Sequence, residues 1–81
     1  MNANQAWQST LGQIQMEMSK ASYDTWVRNA QLISHEDNTF LVGVPNAYAR
    51  DWLEDRLTST MNRMLAGMMN TPQQVHFVVW H

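Results

Sequence analysis

The chain has 81 residues, 44% hydrophobic and 15% charged, with seven Asp and Glu against five Lys and Arg for a net charge of -2, and no cysteine. That length supports one domain over residues 1–81, burying roughly 60 to 65% of its unfolded surface, without room for a separate substrate domain. The composition excludes a disulfide framework and a thiolate metal centre, the charge has the wrong sign for a domain devoted to gripping phosphates, and no apolar run approaches the roughly 18 residues of a membrane span.

The opening MNANQAW lacks the basic region and apolar run of a signal peptide, so a cytoplasmic location away from any membrane is expected. Residues 5–18 read as a first helix, with Trp7, Leu11, Ile14 and Met18 on one stripe, and Gly12 weakening it by about 1 kcal/mol relative to Ala. Met16 lies roughly opposite that stripe and is expected to be exposed. Ser19 can cap a short second helix whose apolar face is Tyr23, Trp26 and Val27.

Residues 30–35 and 39–44 read as strands, the second alternating Phe40, Val42 and Val44, with Glu36, Asp37 and Asn38 supplying a hairpin turn. Asn46 then caps a long helix over 47–68, whose apolar stripe is Leu53, Leu57, Thr60, Met61, Met64 and Met68. Gly67, Asn70 and Pro72 are its stop signals, and residues 74–80 form a last strand facing the core through Val75, Phe77 and Val79. The order α-α-β-β-α-β predicts an α+β fold, a three-stranded sheet with helices packed on one face.

Signals for catalysis are poor. The three glycines are too scattered to cradle a phosphate, and His35, His76 and His81 have no metal-ligand spacing and read as surface residues. Asp51 and Asp55 are one helical turn apart, but with Arg50, Glu54 and Arg56 beside them they read as a solvated face. Neither an enzyme, a cofactor nor a metal is expected. The informative residues are Tyr48 and Trp52, which stack at i, i+4 on the opening turns of the long helix and point more than about 100° from its apolar stripe. Either a neighbouring element covers Trp52, or both rings serve as anchors for a protein partner.

Three stretches carry a resemblance to a known family: Trp7 early in the first helix, Ser22-Tyr23-Asp24-Thr25-Trp26-Val27-Arg28, and Asp37-Asn38-Thr39 followed by Val44-Pro45-Asn46-Ala47-Tyr48-Ala49-Arg50-Asp51-Trp52-Leu53. With the closing Val75-His76-Phe77-Val78-Val79, they resemble the N-terminal domain (domain I) of the bacterial chromosomal replication initiator DnaA, over about residues 6–80. The chain departs from the family pattern at Lys20 and Asn29, where proline is common, and at Ser22, which can be acidic in relatives.

The resemblance implies a fold related to the KH domain and a non-enzymatic hub for protein contacts in replication initiation. It implies weak self-association through the first helix at Trp7, with Met16 nearby, although periodicity places Trp7 on the buried stripe. It further implies docking of the replicative helicase and of initiation regulators through Tyr48 and Ser22, a contact region to which the off-stripe Trp52 is expected to belong. A second reading is weak single-stranded DNA binding through Lys20, Arg28 and Arg50, although the GXXG loop of KH domains is missing. As a third, a free copy of such a domain would modulate the initiator by heterodimerising with it or competing for its partners. A full initiator would continue into a linker, an ATPase domain and a DNA-binding domain.

Overall fold

The computed structural model describes residues 1–80, and His81 lies outside them. Helix α1 (Ala3–Glu17) starts earlier than periodicity predicts because Asn2 closes a capping box with Gln5. The Asn2 side chain accepts from the Gln5 amide at 2.8 Å, and the Gln5 side chain accepts from the Asn2 amide at 3.3 Å. Its inward face is Ala6, Trp7, Thr10 and Ile14. Met18 follows the helix rather than ending its stripe, and is half-buried.

The second helix is not a uniform α-helix. Ser19 caps α2 (Lys20–Ser22), its hydroxyl accepting from the Ser22 amide at 3.1 Å, as its position predicts. The chain then widens into a π-helical segment (Tyr23–Val27), in which Arg28 N–H donates to the Tyr23 carbonyl at 2.9 Å. The wider turn changes the direction in which following side chains leave the axis. Val27 is fully buried, whereas Tyr23 and Trp26 are half-buried.

Strands β1 (Gln31–Glu36) and β2 (Thr39–Val44) form an antiparallel hairpin. Asp37 and Asn38 turn it with φ of 52° and 60°, the left-handed pair that a two-residue hairpin turn requires. A bulge between Leu32 and Ser34 shifts the register of β1. Helix α3 (Ala47–Met69) begins at Asn46, whose side chain accepts from the Ala49 amide at 2.8 Å. It ends at Asn70, left-handed at φ 60°. Strand β3 (Gln74–Val79) then pairs parallel to β2 without a register shift, giving the mixed sheet order β1-β2-β3.

The α+β prediction with order α-α-β-β-α-β agrees with this architecture. Phe40, Val42, Val44, Val75 and Phe77 face the helices and join Trp7, Ile14, Leu53, Met61 and Leu65 in one core. On α3 the fully buried positions include Leu65, which the predicted stripe omits. Steps of four residues advance about 400°, so the series Ala49, Leu53, Leu57, Met61 and Leu65 winds slowly around the helix as its cover passes from the sheet to α1. Thr10 is fully buried in this contact, its hydroxyl 3.7 Å from the Met68 sulfur.

His35 corrects a sequence expectation. It is half-buried, not a surface residue: its ring sits 4.4 Å from that of Phe40, its cross-strand partner, and Nε2 lies 2.9 Å from Gln73 Oε1. Gln73 is only 5% exposed and also donates to Asn38 and Thr71, so this network ties the hairpin turn to the loop before β3. Among the described residues no helix is long and apolar enough to cross a membrane, and no cluster of His, Asp or Glu could hold a metal ion.

Candidate protein-interaction surfaces

Tyr48 stands on the opening turns of α3, and 81% of it is exposed. Its neighbour one helical turn on, Trp52, is half-buried because Trp26 covers it. The two indoles lie parallel within 6°, with centroids 5.2 Å apart. Since carbon atoms touch at about 3.5 to 4.0 Å, that centroid distance means an offset stack, the favourable arrangement for two π-systems. The Arg56 guanidinium adds a cation–π contact, its Cζ 5.4 Å from the Trp52 centroid.

The stack fixes the π-helical segment (Tyr23–Val27) against α3. Ser22 is half-buried, its amide held by the Ser19 hydroxyl. Of the three residues expected at this contact region, Tyr48 alone presents most of its side chain to solvent. Trp52 is partly covered by Trp26, and Ser22 is half-buried. Trp26 belongs to the same surface although the sequence places it simply on the apolar face of a short helix. Trp52, off the stripe of its own helix and in need of a cover, is the signal that could have paired it with the tryptophan of the short helix.

The polar rim is locally neutralised. Lys20 Nζ lies 2.7 Å from Asp24 Oδ2 one helical turn on, and this hydrogen bond, with some help from Arg28, holds the Asp24 carboxyl below the ordinary aspartate range. Arg50 pairs with Asp51 at 3.2 Å. Of the three cations considered for nucleic-acid contact, Lys20 and Arg50 are thus engaged with carboxylates, and Arg28 is exposed beside Asp24. A continuous basic stripe does not result.

The second expected surface is on α1, where the two candidate residues separate. Met16 is 87% exposed, as its position opposite the stripe predicts. Trp7 is 2% exposed, as its place on the buried stripe predicts, and its ring is sealed beneath α1 in the folded chain. The outward positions of α1 include Gln8, Ser9, Gly12, Gln13 and Met16, none of them charged. Trp7 holds this face in place from behind.

The family model described as the DnaA N-terminal domain matches residues 4–67. The chromosomal replication initiator protein DnaA of Roseiflexus castenholzii is 32% identical over 79 residues, which cover 98% of this chain and 16% of that relative's length. The chain therefore spans a small part of the curated relative it matches. A match over most of the chain, with the element order that the family resemblance implies, has one consequence: this chain belongs to the DnaA N-terminal domain family.

Proposed function

We propose that residues 1–81 act as one non-enzymatic protein-interaction domain in bacterial DNA replication initiation, docking the replicative helicase and initiation regulators and associating weakly with itself or with an initiator. The observation that carries this reading is Tyr48, a large aromatic 81% exposed on a helix whose opening turns are braced by the Trp26–Trp52 stack. An exposed aromatic on a rigid base loses little side-chain freedom on binding, which is why such residues recur among interface anchors. Trp52 and Ser22 would border the anchor, and the pairs Lys20–Asp24 and Arg50–Asp51 would supply a polar rim. Such an interface belongs to the small, transient class, below about 1,200 Å².

Self-association would use the outer face of α1. The uncharged positions Gln8, Ser9, Gly12, Gln13 and Met16 support this, because two copies can meet there with Glu17 as the one exposed charge of the helix, and Met16 offers an adaptable apolar contact. Weak single-stranded DNA binding through Lys20, Arg28 and Arg50 is the lesser reading, since two of these cations already serve carboxylates.

An amide-resolved NMR titration with the amino-terminal part of the replicative helicase, at two salt concentrations, tests the docking surface. Shifts confined to Tyr48, Trp52 and the Ser22 turn are expected. Titration with a single-stranded oligonucleotide should cause little change, and tight, steeply salt-dependent shifts at Lys20, Arg28 and Arg50 would instead favour the nucleic-acid reading.

A further inference from the structure

The sheet has two outer edges, and they differ. Strand β1 carries a bulge between Leu32 and Ser34, a device that twists an edge away from further pairing. Strand β3 keeps its register over every pair from Gln74 to Val79. Its amides of Gln74 and Trp80 donate inward, to the carbonyls of Asn38 and Val44 at 2.9 and 2.8 Å. In a regular parallel strand the backbone groups alternate in direction, so His76 and Val78 also face β2. The N–H and C=O groups of Val75, Phe77 and Val79 therefore point outward.

One outward amide is already taken: Val75 N–H donates to Asn62 Oδ1 at 2.8 Å, from the middle of α3. Among the described residues, no hydrogen bond reaches the Phe77 or Val79 amide from outside the sheet. Beside them opens a shallow groove of about 530 Å³, walled by Arg50, Asp51 and Glu54 of α3 and floored by residues 76–79. Arg50 is committed to Asp51 at 3.2 Å, which leaves the wall with an excess negative charge.

We propose that the β3 edge is a strand-addition site: an extended peptide segment of a protein partner pairs with Phe77 and Val79 and carries a lysine or arginine that meets Asp51 and Glu54. Asn62 does for Val75 what the backbone of that segment does for the next two outward positions. Main-chain hydrogen bonds provide affinity in this mode, and side-chain chemistry beside the edge provides selectivity. The acidic wall favours a cationic peptide and opposes a phosphate backbone. This site shares the Arg50–Asp51 pair with the rim of the Tyr48 surface but uses the β3 backbone rather than the Tyr48 ring.

The full chain, labelled for NMR, is titrated with a capped alternating lysine–valine hexapeptide, with the same peptide N-methylated at every residue, with its glutamate–valine counterpart, and with a short oligo-dT. The lysine peptide should shift the Phe77 and Val79 amides and slow their hydrogen exchange, while the N-methylated and acidic peptides leave both unchanged. The double variant Asp51→Asn with Glu54→Gln should weaken the lysine peptide by roughly two- to tenfold, since each exposed charge contributes little. Both substitutions are at solvent-facing or wall positions, so unchanged amide spectra elsewhere verify the fold. Equal shifts from the N-methylated peptide, no shift at millimolar lysine peptide, or shifts at these two amides from oligo-dT would each overturn the proposal.

Discussion

Trp7 and Tyr48 are both aromatics that a resemblance to the family ties to partner contacts, yet one is 2% exposed and the other 81%. The difference separates two ways for a residue to matter at an interface. Tyr48 stands on the outer side of α3 and can meet a partner with its own ring. Trp7 is packed with Ala6, Ile14, Leu53 and the rest of the core, so it can influence a partner only through the position of α1. Loss of function on changing Trp7 therefore carries a stability component that loss on changing Tyr48 lacks.

The largest expected effect breaks the buried side of this comparison. Trp7→Ala should cost about 3 to 5 kcal/mol in urea or thermal unfolding, a large part of the roughly 5 to 15 kcal/mol a native domain has. A loss within about 0.5 kcal/mol would mean that Trp7 does not pack as described.

Trp26 and Trp52 lie between the extremes. A double-mutant cycle of their alanine variants should give a coupling of about 0.5 to 1.5 kcal/mol, and additive losses would show that the stack does not brace the π-helical segment. On the exposed side, Met16→Glu should leave unfolding unchanged within about 0.5 kcal/mol while weakening self-association in sedimentation at high concentration. A normal association constant in that variant would place the contact elsewhere.

The smallest effect concerns the rim. Because Lys20 depresses the Asp24 carboxyl in the folded chain, the pair's contribution is present above the ordinary aspartate pKa of about 3.9 and is lost as the pH falls through the lower folded value. Lys20→Ala should raise the Asp24 pKa, measured by the pH dependence of its carboxyl resonance, with little change in melting at neutral pH. An unchanged Asp24 titration would remove the pair as its cause.

Much of the fold was legible because its punctuation is local. Ser19 and Asn46 cap the helices they precede, and Phe40, Val42 and Val44 alternate as a half-buried strand must. The helix start at Asn2 lies outside the apolar period and is written only in the Asn2-to-Gln5 spacing of a capping box. The π-helical turn was also not legible, since a spacing of three and four residues between Tyr23, Trp26 and Val27 fits an α-helix equally well. The two surfaces were only half visible. Periodicity identifies Met16 and Tyr48 as misfits on their helices, but whether a misfit is covered depends on a distant element. Trp52 was covered, by Trp26, and Tyr48 was not.

The most direct test of the central claim reads Tyr48→Ala two ways on the same sample: its unfolding free energy, and its binding to the amino-terminal part of the replicative helicase. Stability should stay within about 0.5 kcal/mol while binding weakens by about 1 to 2 kcal/mol, roughly five- to thirtyfold. Unfolding of the variant, or unchanged helicase binding by a folded one, would contradict the assignment of Tyr48 as an exposed anchor.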